Sequence, residues 1–258
     1  MGQLWPTLVE FLFRMGTGLA AVILIVSARQ VNCGFFRIHS WILMGLATFA
    51  SLVLYSQASE YRFAGLAIGL TVAAAVVAYV AAVLWMYEQR LAGKVALLMV
   101  ALLFVAASPS GYLRVDRSLT LLENADFATG SLILGSLLTA MLLGHWYLNF
   151  PGMKLEPLKV LVVVCAAAIV ARALVSVVGV TQLGMLGKLP ESTIGWSFLA
   201  FRWLAGLIGP GIMVGLTWET LKVPNTQSAT GILYAAVTLV FLGELTAQLL
   251  SRGLPVPV

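Results

Sequence analysis

Apolar runs separated by short polar or Gly/Pro-containing breaks recur along the whole chain. A helix needs roughly 20 predominantly apolar residues to cross the hydrocarbon core of a bilayer. Runs of that length fall at about 5–28, 35–57, 62–87, 92–108, 127–149, 156–179, 194–219 and 227–250. The pattern predicts eight spanning helices, and an even number puts both termini on one side. The fourth run is the shortest, and Ser108 to Asp126 is the longest polar stretch. No internal repeat or low-complexity segment interrupts the series. The expected fold is therefore an all-α polytopic bundle forming a single integral membrane domain over 1–258, with loops too short to hold a soluble catalytic module.

Composition changes the picture by exclusion. The chain is 61% hydrophobic and 10% charged, with a mean hydropathy of +1.00. A soluble domain carries about 25% charged residues, so this excess of apolar surface must face something other than water. A soluble enzyme, a disordered chain and a disulfide scaffold are all excluded, the last because only Cys33 and Cys165 are present. The formal charge of +5 is spread over many loops and serves membrane orientation, not nucleic-acid binding. On the side away from the termini lie Arg29, Arg37, Arg90, Lys94, Lys154, Lys159 and Lys222. On the terminal side lie Arg62, Arg114, Arg117, Lys188 and Arg252. This seven-to-five bias places both termini outside the cytoplasm. The first run has no cationic leader and no small-residue cleavage site, so it reads as a retained helix.

Aromatic residues near the span ends, among them Trp5, Trp85, Tyr87, Trp146, Tyr147, Trp196 and Trp218, read as an interfacial belt. Gly65 with Gly69, and Gly211 with Gly215, have the spacing that lets membrane helices approach closely. Gly206, Gly209, Pro210 and Gly211 fall inside the seventh run, and Pro210 removes a backbone donor there, which predicts a kink or local unwinding.

Ionisable side chains inside apolar runs are costly and so point to function or to internal pairing. Five stand out: Glu10 and Arg14 in the first run, Arg172 in the sixth, Arg202 in the seventh and Glu244 in the eighth. All five fall in the outer half, and Glu10 and Arg14 are four residues apart on one helix face. Three arginines against two glutamates leave one positive charge without an acidic partner. One reading is a network of buried ion pairs that sets helix register. The other is a polar pocket in which Glu10 or Glu244 exchanges protons while Arg14, Arg172 and Arg202 hold the oxygen atoms of a head group or quinone.

The two histidines, His39 near the start of the second run and His145 near the end of the fifth, fall at similar depth near the same face. Two neutral imidazoles from different helices can hold one b-type haem, so one haem is the ceiling. The same residues also fit an interfacial cluster, with His145 in the run Gly144-His145-Trp146-Tyr147. No metal site is expected, because Cys33, His39 and His145 supply at most three ligands without CxxC or HxxxH spacing. Walker, GxSxG, HExxH, dinucleotide and voltage-sensor motifs are absent.

Eight spans with outward termini, minimal loops and a last helix carrying Gly243-Glu244 before Arg252 resemble the membrane-anchor subunits of bacterial molybdopterin oxidoreductases of the dimethyl-sulfoxide-reductase type. The resemblance implies an inner-membrane subunit of a hetero-oligomeric redox complex that anchors its partners and exchanges electrons with quinone. Such anchors generally lack haem, so ligation by His39 and His145 would depart from the pattern. A small-solute or ion transporter, drawn from the broken seventh span, and a structural or assembly subunit without a ligand are the competing expectations.

Overall fold

The computed structural model describes residues 4–60, 63–108, 121–150, 152–190, 192–223 and 225–257. Arg62, Arg114 and Arg117 lie outside the described residues. The described chain is helical and contains no strand among those residues. Its helices are α1 (Leu4–Val22), α2 (Cys33–Ser56), α3 (Ala64–Met86), α4 (Arg90–Ala107), α5 (Leu121–Asn149), α6 (Glu156–Met185), α7 (Thr193–Trp203), α8 (Gly209–Thr220) and α9 (Thr226–Gly253). A five-residue π-helical turn, Leu204–Ile208, joins α7 to α8, so the two make one continuous span. Eight spans result, each long and apolar enough to cross a membrane, and the protein is a multi-pass membrane protein.

The chain forms two compact units, residues 1–119 and 120–258. In the first, α2 packs on α3, α3 on α4, and α1 on both α2 and α4. The buried positions of α3 are Ala64, Ala67, Thr71, Ala74, Ala78, Ala81, Ala82 and Trp85, recurring every three or four residues. Small side chains thus meet the neighbouring helices, while Val72, Val76, Tyr79 and Val80 point outward. That division is how helices associate where no water drives them together. Glycine admits aromatic rings at two places. A Cβ on Gly16 would sit 2.6 Å from the Phe104 ring, and one on Gly93 would sit 2.6 Å from Trp85. Trp85 is therefore a core residue, 1% exposed and stacked on Phe36 at 4.3 Å, not part of the interfacial belt.

In the second unit, α5 packs on α6 and α9, α8 on α6 and α9, and α7 on α9. Polar side chains in α5 turn back on their own helix: the Ser131 hydroxyl donates to the Phe127 carbonyl (2.7 Å) and Thr139 to Gly135 (2.7 Å). Such bonds satisfy hydroxyls that water cannot reach. Side-chain caps open three helices, with Asn32, Ser192 and Asn225 each accepting from a backbone N–H. Gly187, at φ +62°, ends α6, where the Lys188 N–H reaches back to the Leu183 carbonyl (3.0 Å).

Two helices exceed the expected spans. α5 starts at Leu121, not at 127, and α6 runs to Met185, not to 179. The extra turns carry polar residues that apolar windows discount but a helix already nucleated readily includes. The expected Gly65/Gly69 and Gly211/Gly215 packing is not what the structure uses. A Cβ on Gly65, Gly69 or Gly215 would meet nothing within 4 Å, and one on Gly211 only Ile169 at 4.0 Å.

Candidate functional site

Extension of α5 brings Asp126 inside the second unit, and with it the carboxylate that the sequence count lacked. Arg172, in the middle of α6, donates from Nε to Glu244 Oε1 (2.8 Å) and from Nη2 to Glu244 Oε2 (3.1 Å). Its Nη1 bonds the Asp126 carboxylate. Arg202, in the last turn of α7, lies 3.6 Å from Glu244 Oε1 and donates to Ser176 Oγ (2.7 Å), one turn along α6 from Arg172. Arg172, Arg202 and Glu244 are at most 1% exposed, and Asp126 is 5% exposed. Among the described residues, two guanidinium groups thus face two carboxylates in a buried cluster drawn from α5, α6, α7 and α9. The expected surplus of positive charge is corrected by Asp126, one residue before the estimated start of the fifth span. Helical spacing held the signal, since Asp126, Gly130 and Leu134 share the buried face of α5 with Leu137.

Close approach of two backbones makes the cluster possible. A Cβ on Gly243 would lie 2.1 Å from Gly206 Cα and 2.4 Å from its nitrogen. Only a glycine pair allows this crossing, and Glu244 follows Gly243 directly while Arg202 lies one turn before Gly206. The crossing falls within the π-helical turn. There the hydrogen-bond ladder shifts, with the Gly209 N–H bonded to the Leu204 carbonyl. The expected break around Pro210 is therefore absorbed as one wide turn within an unbroken span, a device often found at functional positions.

Glu10 and Arg14 belong to the first unit, where Arg14 Nη2 donates to Glu10 Oε1 at 2.5 Å. Arg14 is 4% and Glu10 20% exposed, so this pair is buried at one end only.

The histidines also belong to different units. His39 is buried in the first, where its ring lies 3.9 Å from that of Phe35 and its Nδ1 sits 2.6 Å from the Phe35 carbonyl oxygen. A carbonyl only accepts, so Nδ1 carries the proton and Nε2 keeps its lone pair. That Nε2 is buried and has no hydrogen-bond partner. The state is the one a metal-ligating histidine adopts. His145, in the second unit, is exposed, with Tyr234 Oη 3.4 Å from its Nδ1. Among the described residues no group of three or more His, Cys, Asp or Glu side chains could hold a metal ion. Cys33 and Cys165 are both buried free thiols.

No family model matches the chain, and neither a curated protein nor a solved structure was found to match it.

Proposed function

We propose that the protein is the quinone-reactive membrane subunit of a bacterial respiratory complex, held in the inner membrane with both termini outside. The observation that supports this reading is the Asp126–Arg172–Glu244–Arg202 cluster. Buried charges in membrane helices are costly and default to a substrate or proton pathway. Oxidation of a quinol releases two electrons and two protons. Glu244 is the base that accepts the two protons in turn, passing on the first before it takes the second, Arg172 and Arg202 hold the quinol oxygens, and the electrons pass to a redox centre on a partner subunit. Glu10 and Arg14 pair with each other in the other unit. If the chain carries one haem b, His39 Nε2 is the ligand fitted to it, and the haem would supply single-electron transfer. His145 is the remaining candidate.

The decisive experiment is Glu244→Gln in the assembled complex, which keeps size but removes the proton acceptor and one of the two oxygens that accept from Arg172. Slower quinol-coupled turnover per assembled complex supports the reading. Unchanged turnover per complex with lower thermal stability would reduce the cluster to a structural network. The π-helical turn beside the cluster favours transport of a small solute or ion as the second reading. Copurification separates the two, because a respiratory subunit brings redox proteins with it and a transporter runs alone or as a homo-oligomer. A dithionite-reduced absorption spectrum tests the haem directly.

A further inference from the structure

One turn beyond Glu244 on α9, Gln248 is 3% exposed, and neither its Oε1 nor its Nε2 has a hydrogen-bond partner. Buried polar atoms in folded proteins are almost always paired, and a carboxamide with both ends unmet is a double exception. An apolar side chain of similar size would fill the position without that cost. The amide also stands at a boundary. Along α9 it lies between Glu244, in the charge cluster, and Leu250, which packs on an apolar cluster built around Leu183 and Leu199 with Trp203 and Leu254. Leu183 and Leu199 come from α6 and α7, the helices that carry Arg172 and Arg202.

We propose that Gln248 is the head-group contact of the quinone site and selects the reduced form. This rests on the quinone reading above. A carboxamide offers one acceptor and one donor side by side. A quinol hydroxyl both donates and accepts, so it meets Oε1 and Nε2 together. A quinone carbonyl only accepts, which leaves Oε1 unpaired. The apolar residues beyond the amide match the ring edge and the hydrocarbon tail in polarity. Glu244, one turn away on the same helix face, is placed to accept the quinol proton.

The test measures binding of a short-chain ubiquinol and menaquinol, and of the two corresponding quinones, to the full-length protein in its native complex. The variants are Gln248→Leu and Gln248→Met, so that one remains if the other fails to assemble. The expected result is a loss of roughly tenfold or more in quinol affinity, a much smaller change for quinone, and a melting temperature without ligand that stays the same or rises. If the unaltered complex binds quinol and the variants bind it equally well, the quinone reading stands and the role of Gln248 falls. Equal weakening of quinol and quinone would overturn selection of the reduced form. A melting temperature that drops with quinol affinity unchanged would mean that the amide holds a buried water only. If the unaltered complex binds neither form, the quinone reading itself fails, and this assignment with it.

Discussion

Arg172 carries bonds to two carboxylates at once, and counting charge around it decides what single substitutions do. Asp126→Ala removes one of the two carboxylates that hold Arg172. Removing one partner of a buried pair costs about 3–5 kcal/mol, because the remaining charge stays buried. A large drop in melting temperature in detergent is therefore expected. Asp126→Leu combined with Arg172→Met removes both members of that ion pair and should recover much of that loss. A double variant no more stable than Asp126→Ala would show that Arg172 holds the fold by more than charge. Glu10→Gln, at a pair with one partly exposed end, should cost no more than about 1 kcal/mol. Arg172, Arg202 and Glu244 were legible in the sequence because each interrupts an apolar run. Asp126 was not, since it stands at the edge of a run, where a carboxylate normally meets water. Gln248 was not either, because glutamine carries no charge to mark it and its unmet amide shows only once the helix is packed.

At the level of elements, helices could be read from run length, but their contacts could not. Spacing of small residues shows that a helix face is smooth without showing what meets it. Four glycines spaced for packing lie in open surroundings, whereas Gly206 and Gly243, on different helices and with no shared motif, form the tight crossing. Opposite outcomes follow for the same substitution. Gly243→Ala puts a methyl group 2.1 Å from the Gly206 backbone, so α9 must move away from the π-helical turn. The yield of folded protein should fall sharply, and the Arg202–Glu244 approach should be lost. Gly215→Ala meets no neighbour and replaces a poor helix former, so it should be neutral or stabilising by up to about 1 kcal/mol. Melting curves of the two variants side by side check both. Equal destabilisation would mean that the Gly206–Gly243 crossing does not set the position of α9.

For the whole molecule, the charged cluster gains direction only from topology. Successive spans alternate, so the ends of α6 and α9 and the starts of α5 and α7 share one side of the membrane. Arg202 lies nine residues from the start of α7 and Glu244 nine from the end of α9, which sets the cluster nearer that side. Lys154 and Lys222 lie in the loops of the opposite side, and Lys94, near the start of α4, bonds the Leu24 carbonyl at the end of the first span. The proposed orientation puts the lysine side in the cytoplasm. A cysteine replacing Gly253 should therefore react with an impermeant thiol reagent in intact cells, and one replacing Lys154 should react only after permeabilisation. Cys33 and Cys165 are buried and add little background. The reverse labelling would put the cluster on the cytoplasmic side. A proton accepted by Glu244 would then be released inward, and quinol oxidation here would add nothing to the transmembrane proton gradient. With the expected labelling, and if the proposed quinone reading holds, each quinol oxidised at the cluster would release its two protons outside, so the depth of Glu244 in the membrane would decide whether the site adds to the proton gradient.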